Sequence, residues 1–167
     1  KTADAVVCGR LSKEEIENSP NLKVIFVHFT GINNFPPDII MQRGITLSNT
    51  HANAPVVAEH AVALAMSLLG RIIEFHEDLK QGIWNRSIES DDMWVSMYGK
   101  RIGIIGYGNI GQNIAKLLKP FNGHVTGFKK NVHSTKDEYA DEITDDLKYT
   151  IDNSDVIFVT LPSNEST

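Results

Sequence analysis

The chain has 167 residues, enough for one large domain or two small ones, and its 41% hydrophobic and 22% charged residues are ordinary for a globular protein. Sixteen basic residues against twenty-one acidic ones leave a net charge of −5, which argues against nucleic-acid binding by general charge attraction. Cys8 is the only cysteine, so an intrachain disulfide and a thiolate metal cluster are excluded, and a reduced, cytoplasmic compartment is the simplest reading. The most apolar run, Ala61 to Leu69, is far short of the ~20 residues a membrane-crossing helix needs. The opening residues lack a signal-peptide layout and an initiator methionine, and both ends run almost directly into strand-like segments. Both are therefore expected to be cut.

Ala5–Cys8 reads as a short buried strand closed by Gly9. Ser12 with Glu15 fits a capping box at the start of a short helix that should end near Ser19-Pro20. Leu22–Phe29 is rich in β-branched and aromatic residues and is expected to be a strand buried on both faces. Pro36-Pro37 can open a helix of one or two turns reaching Arg43, because proline is tolerated in the first turn, and Gly44 closes it. Ile45–Ser48 is another strand. Alternating strands and helices with short joints predict a parallel α/β layer.

The longest element is expected over 55–81, capped by Asn53 or Ala54 and stopped by Gly82. Val57, Ala61, Leu64, Ala65, Leu68, Ile72, Phe75 and Leu79 recur at spacings of three and four, and Val62, Met66, Leu69 and Ile73 widen the apolar face. A helix that apolar is buried between two domains or two subunits, or is a central core helix. Residues 83–98 show no period and read as a connector pinned by Trp84, Trp94 and Tyr98.

Lys100–Ile105 is a strand that runs straight into Gly106-Tyr107-Gly108-Asn109-Ile110-Gly111. A helix over Gln112–Leu118 and a strand over His124–Phe128 follow. This is the order of a dinucleotide-binding unit. Gly106 permits the tight turn, Gly108 lets a pyrophosphate approach the backbone, and Gly111 lets the helix pack closely on the strand. The helix start presents free N–H groups and the positive dipole end to phosphates. About 20 positions past the motif an acidic residue normally accepts bonds from the ribose of NAD, but here Lys129 and Lys130 stand there. A lysine cannot accept those bonds and would attract a 2′-phosphate, so NADP is preferred over NAD, although a solvated basic pair at a strand end is the plainer alternative. A further helix is expected over Asp145–Ile151 and a last strand over Asp155–Leu161. Thr160, Leu161 and Pro162 are candidate walls of the pocket, because open α/β sheets bind ligands at the carboxyl ends of their strands. Of the six histidines, His28 is expected inside a buried strand, His60 and His76 on the long helix, and His51, His124 and His133 in loops or at strand ends. None has metal-ligand spacing to a second ligand.

Four segments, taken together, resemble the D-isomer-specific 2-hydroxyacid dehydrogenase family over nearly the whole chain. They are Leu22–Ile25 with Thr30–Asn33, Arg43–Thr46 with Asn49-Thr50 and Val57–His60, Gly82–Trp84, and Tyr98–Lys100 with Gly103–Gly111. The resemblance implies a flavodoxin-like substrate-domain portion at 1–52, an inter-domain and dimerisation segment at 53–98, and the first part of a Rossmann nucleotide-binding domain at 99–167. It implies that Thr30 and Gly31 contact the substrate carboxylate and the nicotinamide side of the cofactor. Asn109 and Ile110 would supply phosphate-facing N–H groups, and Leu161 and Pro162 would line the pocket. Asn33 stands where the family has an aspartate, as Lys129 does at the ribose. The implied reaction is hydride transfer between nicotinamide and a 2-keto or 2-hydroxy acid such as glyoxylate or hydroxypyruvate, in a homodimer. The family's arginine, glutamate and histidine would lie beyond Leu161, leaving this stretch without its own catalytic residues. A dinucleotide-sensing, corepressor-like binding protein of the same fold is the alternative; a methyltransferase is disfavoured by the long helix and the Thr30-Gly31 turn.

Overall fold

The computed structural model describes residues 3–84 and 93–162, and the chain divides into two compact units, Lys1–Asn53 with the residues from Pro162 onward, and Ala54–Leu161. In the first unit the elements run β1 (Ala5–Val7), α1 (Lys13–Glu17), β2 (Val24–Val27), α2 (Pro37–Gln42) and β3 (Thr46–Asn49). The strands form one parallel sheet in the order β1-β2-β3, with Val6 beside Ile25 and Ile25 beside Leu47. Helix α1 starts on the expected capping box: Ser12 Oγ accepts from the Glu15 N–H at 3.2 Å, and Glu15 Oε2 accepts from the Ser12 N–H at 2.8 Å. Its far end is tied down by Arg43, whose guanidinium donates to the carbonyls of Ile16, Ser19 (2.9 Å) and Pro20 (3.0 Å). Pro36 caps α2, Pro37 opens it, and Gly44 follows it with φ +61°.

Ile16, Ile39 and Ile40 from the two helices pack with Ile25, Val27, Val6 and Leu47 into one core on a single face of this sheet. The expectation that the second strand is buried on both faces is corrected: Ile25 and Val27 are buried, but Phe26 is 47% exposed and its neighbour Val7 67% exposed. In this unit both helices cover the same face, because sequential parallel strands with crossovers of one hand place them together. His28 is likewise not inside a strand but exposed in the bend after β2.

In the second unit the elements are α3 (Ala54–Leu69), α4 (Ile72–Lys80), β4 (Arg101–Ile105), α5 (Asn109–Leu118), β5 (His124–Phe128), β6 (Glu142–Thr144), α6 (Leu147–Asp152) and β7 (Val156–Val159). The expected single helix over 55–81 is two helices bent by 57° at Gly70-Arg71. Arg71 takes the left-handed conformation (φ 49°), its N–H reaches only to the carbonyl of Leu68 (3.1 Å), and the helical ladder stops there. The apolar period continues across the break, which is why periodicity alone does not reveal it. Ala58 and Val62 of α3 are buried against α5 in the main core, whereas α4 buries no residue. Among the described residues no single helix is long and apolar enough to cross a membrane; α3 and α4 together meet that length and composition only as a bent pair.

Of the pins expected of the connector, the Tyr98 hydroxyl accepts from Asn122 Nδ2 at 2.7 Å and Trp94 borders residues of α3 and α4. Trp84, Trp94 and Tyr98 are nonetheless each more than half exposed, and among the described residues of the segment the buried one is Met97. Backbone contact helps to hold the segment in place, with the Val95 N–H on the carbonyl of Leu69 at 2.8 Å. Trp94 and Met97 border a groove of about 300 Å³ with Met66, Leu69, Ile72 and Phe121. The part of the connector at 85–92 lies outside the described residues.

The sheet of this unit is all parallel, in the order β6-β5-β4-β7. The chain steps outward from β4 to β5 to β6 and then returns through α6 to lay β7 on the other side of β4. The strand order therefore reverses at β4, and the crevice at the carboxyl ends of β4 and β7 is a topological switch point. Strand β6 is not apparent from the sequence: it has three residues, Glu142-Ile143-Thr144, of which only Ile143 is buried. Asp155 closes the opposite end of the sheet, accepting from the Arg101 N–H (2.9 Å) and from its guanidinium (2.7 Å).

Candidate functional site

The glycine turn sits at this switch point. Gly106 has φ +99°, and a Cβ there would lie 2.9 Å from the Thr160 carbonyl carbon and 3.0 Å from the Leu161 nitrogen, so the turn and the end of β7 touch backbone to backbone. Thr160 braces the contact: its hydroxyl donates to the Gly106 carbonyl at 2.7 Å and its N–H to the Ile105 carbonyl at 2.8 Å. On the other side the N–H groups of Gly106 and Tyr107 donate to the Phe128 carbonyl at 3.0 and 2.9 Å. The turn is thus held to both neighbouring strands.

Each glycine has a distinct steric reason. A Cβ on Gly111 would meet Ile104 Cγ2 and the Gly106 carbonyl oxygen at 2.9 Å, so the first turn of α5 packs directly on β4. A Cβ on Gly108 would meet only the Gly106 oxygen at 3.9 Å, which leaves the space above that residue open. Gly108 caps α5 without a side-chain bond, and the first intrahelical donor is the Gln112 N–H to the Gly108 carbonyl (2.8 Å). The N–H groups of Asn109, Ile110 and Gly111 precede that bond and have no partner within the helix. An open surface in front of N–H groups left without an intrahelical partner, at the positive end of a helix dipole, suits a phosphate, so the residues present fit a dinucleotide.

Lys129 and Lys130 follow β5 directly. Lys129 is half-buried, its N–H donates to the Thr144 carbonyl at 3.0 Å, and Lys130 is exposed. Leu161 and Pro162 follow Thr160 and are exposed. Gly106, Gly108, Asn109, Ile110, Gly111 and Thr160 thus come together around one turn, and Lys129 follows the strand whose last carbonyl that turn binds. Thr30 and Gly31 belong to the first unit, where the Thr30 carbonyl accepts from Asn49 Nδ2 at 2.7 Å and the Thr30 hydroxyl lies 3.3 Å from Asn53 Oδ1. These bonds hold the loop after β2 against the end of β3. The same unit has a hollow of about 1040 Å³ bordered by Arg10, Asn18 and Asn34, residues that no sequence motif singles out.

Two residues the motif does not explain also belong to this region. Tyr107, the second residue of the turn, is buried, and its ring fills the space left by Gly127: a Cβ there would lie 2.5 Å from Tyr107 Cγ. Its hydroxyl donates to Asp137 Oδ1 at 2.9 Å. Burial, then the bond to Asp137 and its charge, push the Tyr107 phenol well above its ordinary range, so it stays protonated. In a glycine fingerprint this position is a variable one, which is why the pattern gives no signal for it.

A four-stranded parallel layer with a glycine turn and a helix start at its switch point defines a dinucleotide-binding α/β domain. Residues 62–167 match the D-isomer specific 2-hydroxyacid dehydrogenase NAD-binding domain, and the chain belongs to that family. It is 28% identical over 175 aligned positions to a glyoxylate reductase of Pyrococcus furiosus, covering 100% of this chain and 52% of that protein. The NAD-dependent formate dehydrogenase of Staphylococcus aureus, solved with NAD, superposes with a TM-score of 0.81 at 26% identity, over 98% of this chain and 50% of that one. An acyclic imino acid reductase solved with NADPH and D-Arg superposes with a TM-score of 0.77, also at 26% identity, over 98% of this chain and 52% of that one. The chain spans about half the length of the curated relatives it matches.

Proposed function

We propose that this chain is the cofactor-binding part, with an adjoining substrate-domain part, of a nicotinamide-dependent oxidoreductase that acts on a 2-keto or 2-hydroxy acid of the glyoxylate or hydroxypyruvate kind. The observation that carries this is the unobstructed face of Gly108 in front of the Asn109, Ile110 and Gly111 N–H groups, which have no partner within the helix, at the edge where β4 meets β7. A bound nicotinamide cofactor would supply the hydride. The roles of the chain's own groups are to hold and orient. Backbone N–H groups at the start of α5 bind the pyrophosphate, and Thr160 keeps the turn in place. Lys129 and Lys130 attract a 2′-phosphate and favour NADP. Leu161 and Pro162 wall the pocket, and Thr30-Gly31 receives the substrate carboxylate and the nicotinamide side. Residues 1–52 act as the substrate-domain part, 53–98 as the inter-domain segment and 99–167 as the nucleotide-domain part, in a cytoplasmic protein. The carboxylate-binding arginine and the proton-donating histidine with its glutamate are expected outside these residues, since hydride transfer without a positioned acid is slow.

The α3–α4 surface supports a homodimer. Leu68 of α3 and Ile72, Ile73 and Leu79 of α4 are all exposed, and exposed apolar residues of this size are the kind a partner subunit covers. The functional test is oxidation of NADPH and NADH with glyoxylate and with hydroxypyruvate by the full-length protein. Faster turnover with NADPH is expected. Absence of binding to either dinucleotide would refute the reading.

A further inference from the structure

The site lacks an acidic residue directly after β5, yet a carboxylate is delivered to the same region from the following loop. Asp137 is held there by three bonds to one oxygen: Oδ1 accepts from the Tyr107 hydroxyl (2.9 Å), the Tyr139 N–H (2.9 Å) and the Ala140 N–H (2.8 Å). Tyr107 is fixed in turn, its ring lodged over Gly127 and its N–H on the carbonyl of Phe128, the residue immediately before Lys129. The loop itself is fastened to β6, with the Ile143 N–H on the Thr135 carbonyl at 2.6 Å. A short path of bonds therefore runs from Phe128 through Tyr107, whose ring lies over Gly127 of β5, to Asp137, and the charges of Asp137 and Lys129 act on each other.

We propose that Asp137 is a specificity-determining residue of the cofactor site, where its carboxylate, positioned by Tyr107, offsets the charge of Lys129 and limits the preference for a 2′-phosphorylated dinucleotide. This rests on the dinucleotide reading of the glycine turn. Electrostatics agree with the placement. Burial pushes the Asp137 carboxyl up, but the two N–H bonds, the Tyr107 hydroxyl and the charge of Lys129 outweigh it and hold the group below its ordinary value. The carboxylate is therefore ionised at neutral pH, where a 2′-phosphate carries up to two negative charges of its own and is repelled by it. NAD has no such group and does not meet that repulsion.

Asparagine is close to isosteric with aspartate and keeps a carbonyl oxygen that accepts the same three bonds, so Asp137→Asn removes charge with little change of geometry. Asp137→Ser provides a second neutral variant with an oxygen that can still cap the loop. The experiment measures dissociation constants of NADPH and NADH, by dinucleotide fluorescence, for the full-length protein and both variants, with folding monitored by thermal melting. In both variants the ratio of the NADPH constant to the NADH constant is expected to fall by roughly threefold to tenfold, the effect of removing one charge near a phosphate in partly solvated surroundings. The fall should shrink as salt is raised. An unchanged or increased ratio in the folded variants would overturn the role of Asp137 while leaving the dinucleotide site intact. Failure of the unmodified protein to bind either dinucleotide would overturn the site reading itself, and this inference with it.

Discussion

The hydroxyl of Thr160, at the end of β7, donates to the carbonyl of Gly106 in the glycine turn at 2.7 Å, and the backbone of Thr160 occupies the place where a side chain on Gly106 would go. Two segments 54 residues apart in sequence are thereby locked at the switch point of the sheet. Gly106→Ala should be costly for two reasons. Its φ of +99° is unfavourable for any residue with a Cβ, and the added carbon would press on the Thr160 and Leu161 backbone. A loss of roughly 2 kcal/mol or more is expected, read as a lower urea midpoint. An unchanged midpoint would show that the turn and β7 are not packed as described.

Gly108→Ala should behave in the opposite way. Its backbone (φ −102°) is open to alanine, and the added Cβ meets no protein atom closer than 3.9 Å. Thermal stability should stay near that of the unmodified chain while dinucleotide affinity falls roughly tenfold, about 1.4 kcal/mol. Equal affinity in the two proteins would mean that phosphate does not approach this glycine.

Asp155 predicts a pH dependence at the other end of the sheet. Its carboxyl is held down at about 2, first by the bond from the Arg101 guanidinium and then by the Arg101 N–H. A carboxyl whose value is lower in the folded chain contributes stability that is complete above the unfolded value of about 3.9. That contribution is lost as pH falls from there through about 2. Asp155→Asn should therefore be less stable than the unmodified chain at pH 7, with the difference narrowing steadily below pH ~4. Urea unfolding at a series of pH values checks this, and a gap that does not narrow on acidification would contradict it.

Leu68, 79% exposed on α3, tests the proposed homodimer. A surface substitution there should change folding stability by no more than about 0.5 kcal/mol. Leu68→Glu should nonetheless shift the protein toward monomer in sedimentation equilibrium, because a charge placed in an apolar interface loses its hydration. A monomeric parent protein, or a dimer indifferent to the change, would count against this surface as the interface.

Local chemistry was legible wherever one residue type has one use. The Ser12–Glu15 capping box, the proline start of α2, the Gly44 stop and the order of strand, glycine turn and helix all form as the residues suggest. The break at Gly70-Arg71 was not legible. The apolar spacing runs unbroken through it, and Arg71 is a residue type that rarely takes a left-handed conformation. Strand β6 escaped for a related reason. A three-residue strand with one buried side chain has too little pattern to register, and it forms because Thr126, Gly127 and Phe128 of β5 lie beside it.

The sequence by itself determined that a nucleotide-type βαβ unit exists and which glycines shape it, because tight turns and close backbone approaches admit almost no other residue. Tertiary structure alone decided what meets those glycines: Thr160 across the switch point, the Tyr107 ring over Gly127, and Asp137 on the Tyr107 hydroxyl. Those contacts join residues 20 to 54 positions apart. They follow from the order in which parallel strands are laid side by side, and no local pattern of residues encodes that order.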